Sequence, residues 1–145
     1  MFKDEAFKIL LKTLKLCPRE DFPVASFVNV DGVNFTPFTN QVYQNKNHLN
    51  HAEILSINYA LNQLNIMDFK NYKATLYTTL EPCCMCLSFA ALVRISKIIY
   101  YAEDLKFGGI SRIFTLNSAF TKPEVLFIEK DEIKTLMNNF FKNKR

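Results

Sequence analysis

Four side chains of the kinds that bind metals and carry protons stand in two short clusters of the sequence. His51 and Glu53 belong to the stretch HAE, and Cys83 and Cys86 follow 32 residues later in the stretch PCCMC. Imidazole and thiolate groups are preferred ligands of Zn²⁺. One histidine and two thiolates leave a fourth tetrahedral position for water, which is typical of a catalytic zinc site and not of a closed structural one. The clusters therefore indicate metal-assisted hydrolysis.

Glu53 is the predicted proton carrier of this site. Zinc lowers the pKa of a bound water from ~15.7 towards ~7, and a neighbouring carboxylate can take the proton and pass it to a leaving group. HxE followed by PCxxC is the signature of zinc nucleobase deaminases, in which the glutamate is not a metal ligand. The predicted chemistry is hydrolysis at an electrophilic carbon with departure of an amine. The alternative is a helix-capping histidine with two packing cysteines.

Two helices are expected to bring the metal ligands together. The stretch 51–64 carries apolar residues at helical spacing, and the stretch 84–95 is a second apolar helix that begins just after Pro82. Cys83 and Cys86 are three positions apart and face one way, whereas Cys84 is turned by about 100° and is predicted to be a packing residue. Amide groups at a helix N-terminus lower the pKa of a thiol and favour the metal-binding thiolate.

The remaining elements predict an α/β fold. Apolar spacing indicates a helix within 2–16 and a closing helix from about Asp131, and strands are expected near 24–30, 33–38, 74–80, 96–103 and 125–129. Asp31-Gly32 favours a type I′ hairpin turn, and Pro37 makes the following strand short or an edge strand. A polar loop, 40–50, leads to His51. Strand, helix and strand in succession predict parallel pairing, with helices covering the sheet.

Composition excludes several classes of protein. The chain has 145 residues, 49% of them hydrophobic, and a formal net charge of +4, which is far from the charge of a polybasic nucleic-acid coat. The N-terminal stretch has charges at short intervals and lacks the apolar region of a signal peptide, and no apolar run is long enough to span a membrane. We therefore expect a cytoplasmic protein without a membrane partner, in which the four cysteines stay reduced.

Several stretches of the chain form a larger pattern: FPVAS at 22–26, HAEI, TLEPCCMC, AEDLKFGG at 102–109 and NNFFKNKR at the end. In addition, Asn40 stands eleven residues before His51. Over nearly its whole length, the sequence resembles the bacterial tRNA-specific adenosine deaminase family in these features. The resemblance departs from the family pattern at NHLN, residues 47–50, at Ala25 and at Leu105. His48 is interpreted as a loop residue.

The resemblance implies conversion of adenosine to inosine at the wobble position of a tRNA anticodon. It also implies one Zn²⁺ per chain held by His51, Cys83 and Cys86, a homodimer, and an anticodon stem-loop of arginine tRNA as substrate. The implied fold is a single deaminase domain, 1–145, of the cytidine-deaminase-like type: a three-layer α/β/α sandwich with a central mixed five-stranded sheet. By the same resemblance Asn40 would hydrogen-bond the flipped nucleotide.

The resemblance implies further RNA contacts, and some of these residues could instead have a purely structural role. Asp104, Lys106 and Phe141 would lie near the RNA, but Phe141 could equally pack in the core and Asn40 could shape a turn. The basic C-terminal residues could form a solvated tail. Two other functions fit the same motifs: deamination of a free base or nucleotide of the guanine, cytosine or deoxycytidylate type, and a non-catalytic RNA-binding subunit with a structural zinc.

Overall fold

The computed structural model describes residues 2–113 and 122–143 as alternating helices and strands. The helices are α1 (Phe2–Leu14), α2 (Ala52–Leu64), α3 (Cys84–Leu92), the single turn α4 (Ile110–Ile113) and α5 (Asp131–Asn143). The strands are β1 (Ala25–Val30), β2 (Val33–Asn34), β3 (Phe38–Thr39), β4 (Ala74–Thr78), β5 (Lys97–Tyr100) and β6 (Glu124–Phe127). None of the helices in the described ranges has the length and apolar character needed to cross a membrane.

The strands form one mixed sheet in the order β2-β1-β4-β5-β6. β4, β5 and β6 run parallel, whereas β1 is antiparallel to β4. β2 and β3 both pair with β1, at its two ends, on the edge away from β4. The prediction of a central mixed sheet is confirmed, but the sheet has six strands and not five, because two short strands share the outer edge of β1.

A tight hairpin joins β1 to β2. Val30 pairs with Val33 across the turn, and Asp31 and Gly32 have φ angles of 49° and 88°. Two consecutive positive φ angles define the predicted type I′ turn, for which Asp-Gly is suited. Pro37 lies between β2 and β3, so the edge strand is interrupted there, in agreement with its predicted effect.

Helices cover both faces of the sheet, which gives the predicted three layers. Apolar residues of α1 and α5 pack on one face against Phe27, and those of α2 and α3 pack on the other face against Val28. In α5 the buried side chains are Ile133 and Met137, whereas Phe141 is 49% exposed.

Candidate metal centre

His51 is placed for metal binding and does not cap the helix that it precedes. It occupies the position before α2 in an extended conformation, and its side chain makes no capping hydrogen bond. The first N–H of the helix, from Ala52, instead donates to Oδ1 of Asn40 at 2.7 Å. The imidazole is turned towards the second cluster, with Nδ1 3.8 Å from Sγ of Cys83. The alternative of a capping histidine is therefore wrong.

The two predicted cysteine ligands lie beside this imidazole. Cys83 immediately precedes α3, and Cys86 is fully buried within its first turn. The ligand atoms of His51, Cys83 and Cys86 all lie within 4.8 Å of one another, and no other such group of three His, Cys, Asp or Glu residues occurs in 2–113 or 122–143. Tetrahedral zinc with ordinary bond lengths sets its ligand atoms about 3.5–3.8 Å apart. The donor set fits zinc after a small inward movement of the side chains.

The two thiols differ in acidity because one hydrogen-bonds the other. The Cys86 thiol donates to the Cys83 sulfur, and His51 adds a second favourable contact, so the pKa of Cys83 falls to about 4 although burial opposes the change. The same hydrogen bond and burial raise the pKa of Cys86. The site thus offers one preformed thiolate, and metal binding releases the proton of the second thiol.

Glu53 lies beside the three ligands and outside the group that they form. Its side chain is 4% exposed, and burial raises its pKa to about 7. A general base or acid is most effective when its pKa is near the working pH. Glu53 thus has the burial and the raised pKa that the predicted proton carrier requires, and it lies outside the group of three possible metal ligands.

His51 and Cys83 line a cavity of about 650 Å³. This volume is in the range of pockets that bind a small molecule or a single nucleotide. Besides His51, Cys83 and Glu53, its walls include Asn40, His48, Glu81 and Cys84, together with the aromatic residues Phe22, Tyr43 and Phe107. Cys84 is exposed on this wall, so its predicted role as a packing residue is wrong. His48 faces the cavity but lies outside the group of metal-ligating residues.

Asn40 joins the loop 40–50 to the start of α2, and we expect its removal to destabilise the protein. Asn40 is 6% exposed, so Asn40→Ala leaves a buried N–H without its acceptor. The expected loss is about 1–2 kcal/mol in the free energy of unfolding, measured by urea denaturation. Exposed Gln44 of the same loop supplies the control Gln44→Ala. Equal stability of Asn40→Ala and wild type would contradict the capping role.

A second groove, of about 470 Å³, borders the cavity and shares Phe22, Leu80, Asp104 and Phe107 with it. Asp104, Lys106 and Phe141 all line this groove, so the structure brings Phe141 of α5 to the loop that carries Asp104 and Lys106. Two further lysines on its walls are Lys130 and Lys134.

Asp104, Lys106 and Phe141 differ in how accessible their side chains are to a ligand in the groove. The ring of Phe141 is half exposed and lies 5.1 Å from the ring of Phe22, so the alternative of a fully packed core residue is wrong. Lys106 is exposed, with Nζ 5.1 Å from the Phe107 ring centre. Oδ1 of Asp104 accepts the N–H groups of Lys106 and Phe107, so this carboxylate shapes its own loop. Of the basic tail, Lys142 is exposed, and Lys144 and Arg145 lie outside the described residues.

Sequence reasoning missed Glu81 and the aromatic residues Phe22 and Tyr43. Glu81 is a buried charged residue on the cavity wall, directly before Pro82. A signal for Glu81 was present in the sequence, since this charged residue directly follows the stretch ATLYTTL, which has only apolar and hydroxyl-bearing side chains. Nothing comparable marks Phe22 or Tyr43 in a chain that has 14 phenylalanines and 6 tyrosines.

Comparison with known proteins agrees with this geometry. A family model described as MafB19-like deaminase matches residues 3–145. A tRNA-specific adenosine deaminase of Rickettsia felis is 33% identical over 134 residues, which cover 88% of this chain and 91% of that protein. A structure from a study of A-to-I editing by tRNA:A34 deaminases at the wobble position superimposes with a TM-score of 0.81 and 26% identity, over 88% of this chain and 99% of the other.

A more distant protein is similar to this chain in fold alone. The dCMP deaminase of cyanophage S-TIM5 is 18% identical with a TM-score of 0.64, over 88% of this chain and 97% of that one. With the zinc-type ligand set and the buried glutamate, these matches define the class: the chain is a hydrolytic deaminase of the MafB19-like family with a cytidine-deaminase-like fold. Within this class it belongs to the tRNA-specific adenosine deaminase family, which confirms the resemblance found in the motifs.

Proposed function

We propose that this protein deaminates adenosine to inosine at the wobble position of a tRNA anticodon, with one zinc ion per chain, in a single domain that spans 1–145. The observation that carries the proposal is the group His51, Cys83 and Cys86 beside a buried Glu53, in a cavity that adjoins a groove with lysines on its walls. Membership in the tRNA-specific adenosine deaminase family supports the substrate.

Glu53 carries the proton in the proposed reaction. Zinc, when bound by the three ligands, supplies a water that is acidic enough to act as a nucleophile near neutral pH. Glu53 accepts a proton from the attacking water and delivers it to the amino group on C6 of adenine, which leaves as ammonia while the oxygen stays on C6. Adenosine and water thus give inosine and ammonia, and the carboxylate is regenerated.

Asn40 and the groove would hold the RNA. Because Oδ1 of Asn40 accepts the N–H of Ala52, the Nδ2 group is the part of this amide that remains for a nucleotide in the cavity. In the groove, lysines attract phosphates and an exposed aromatic ring offers a stacking surface for a splayed base. Lys106 and the half-exposed ring of Phe141 have these properties, and Asp104 would act by shaping the loop that carries Lys106.

The test of the function is direct. Purified, zinc-loaded protein is incubated with an arginine-tRNA anticodon stem-loop that carries adenosine at the wobble position, and inosine is measured by nucleoside chromatography. A stem-loop with the same sequence and guanosine at that position is the substrate control. Inosine from the first RNA alone supports the proposal, whereas turnover of free guanine, cytosine or deoxycytidylate with no inosine from RNA would replace it with a small-molecule deaminase.

We also propose that the protein is a cytoplasmic homodimer. On α3 the side chains of Met85 and Phe89 are partly exposed and Leu92 is 67% exposed, which gives an apolar stripe at helical spacing on the surface. An apolar stripe of this kind is a suitable interface for a second copy. Leu92→Glu is expected to shift the protein from dimer to monomer in sedimentation velocity, whereas Leu16→Glu, at an exposed leucine beyond α1, should leave the dimer intact.

A further inference from the structure

The loop after β5 forms a rim between the cavity and the groove. We call residues 103–109 the rim loop; it is followed at once by α4. Two of its residues, Asp104 and Phe107, line both the cavity and the groove. Leu105 is 88% exposed, and Phe107 is 57% exposed although it lines both pockets. Most of the loop is exposed, since Glu103, Leu105, Lys106 and Phe107 all are, so its hydrogen bonds contribute much of what fixes its position.

Glu81 makes two such polar contacts, as the acceptor of two backbone hydrogen bonds. Glu81 is only 9% exposed, and its two carboxylate oxygens accept hydrogen bonds from an N–H near the start of the rim loop and from the N–H that directly follows its end. Oε1 accepts the N–H of Asp104 at 3.2 Å, and Oε2 accepts the N–H of Ile110 at 3.2 Å. Hydrogen bonds to a charged acceptor are stronger than those between neutral groups, and their loss leaves N–H groups without partners.

The rim loop also approaches the metal centre closely. The N–H of Gly109 donates to the carbonyl of Pro82 at 2.8 Å, and Gly108 forms an isolated antiparallel bridge with Cys83. A Cβ atom at Gly108 would overlap the Glu81 carboxylate and the carbonyl oxygen of Asp104. Gly108 is therefore the position at which absence of a side chain permits the carboxylate to reach both N–H groups.

We infer that Glu81 is a positioning residue of the reaction, which holds the rim loop in place for the RNA through the N–H groups of Asp104 and Ile110. This inference rests on the proposed function for its consequence in catalysis, but the hydrogen bonds that it invokes exist without substrate. Glu81 is not among the metal-ligating group, and Glu53 already supplies the proton carrier. A change at Glu81 should therefore weaken substrate binding and leave zinc and the chemical step in place.

The first measurement needs no activity. Glu81→Gln keeps the size of the side chain but replaces one acceptor oxygen with an amide donor, so one of the two N–H groups loses its partner. In zinc-loaded protein, exchange of the Asp104 or Ile110 amide hydrogen is expected to quicken by about ten-fold or more, while amides of β4 keep their rates. Glu5→Gln, at an exposed glutamate on α1, is the control for loss of one negative charge. Unchanged exchange at both amides would overturn the inference.

The second measurement separates binding from chemistry. With the stem-loop substrate, Glu81→Gln is expected to raise KM by about ten-fold and to change kcat by less than about three-fold, at one zinc per chain. Gly108→Ala should displace the carboxylate and give the same pattern, and the double variant should be no worse than the poorer single one. A fall in kcat or in zinc content with unchanged KM would contradict a positioning role. If wild-type protein produces no inosine, the proposed function fails, and the exchange rates still decide the role of Glu81 in the loop.

Discussion

Glu53→Gln is expected to abolish nearly all deamination while zinc binding and the fold are retained. The amide cannot accept the proton of the attacking water, and general acid–base catalysis by one side chain contributes about 10²–10⁴ in rate. Glu53 is buried beside the ligands and is not one of them, so the variant should still hold one zinc per chain. Inosine formation under single-turnover conditions, with zinc content measured on the same sample, checks both parts.

The control for this variant is Glu5→Gln, which makes the same chemical change on the exposed surface of α1. It should keep wild-type activity. Glu53→Ala should be as inactive as Glu53→Gln, since both lack the carboxylate. Substantial residual activity in either variant at position 53 would assign the proton transfer to another group, and loss of zinc from both would make Glu53 a part of the metal site.

Cys86→Ser is expected to remove both zinc and activity and to destabilise the protein. Cys86 is fully buried between Cys83 and Glu53, and a serine hydroxyl is a poor substitute for thiolate as a zinc ligand. A ligand present at about 1,000 times its Kd stabilises the folded state by ~4 kcal/mol, and the variant loses most of this gain. Thermal unfolding with and without added zinc measures the effect, because only wild type should respond to the metal.

Cys84→Ser is the matched control, two residues away on the same helix. Its thiol is exposed and lies outside the group of three ligands, so this variant should bind zinc, respond to it in thermal unfolding and turn over substrate as wild type does. Equal zinc loss in Cys84→Ser and Cys86→Ser would show that the helix start, and not the particular thiol, governs the metal site.

Local signals made much of the fold predictable. Asp31-Gly32 specifies its hairpin through backbone angles that few other residues adopt, and apolar spacing located the long helices to within a few residues. That His51, Cys83 and Cys86 lie together was predictable for the same reason, because the two cysteines share one helix start and His51 precedes another. In each case the determining residues are neighbours in the sequence.

Contacts between distant segments were not predictable. The partners of the Glu81 carboxylate lie 23 and 29 residues further along the chain, and nothing local indicates that their N–H groups lack helical or sheet partners. Similarly, the Asn40 side chain caps the start of α2, although the residue at position 51 would usually do so. The His51 side chain is therefore available to bind a metal. Exposure of Cys84 and Phe141 depends on which neighbours cover a helix face, and periodicity alone does not specify those neighbours.

The interruption at Pro37 affects how this protein behaves at high concentration. An uninterrupted edge strand presents a row of unpaired N–H and C=O groups onto which strands of other molecules can add, and this route leads to aggregation. Here the outer edge of β1 is covered by two strands of two residues each, with an imino acid between them that has no N–H to donate. This side of the sheet therefore offers no continuous template for intermolecular strand addition.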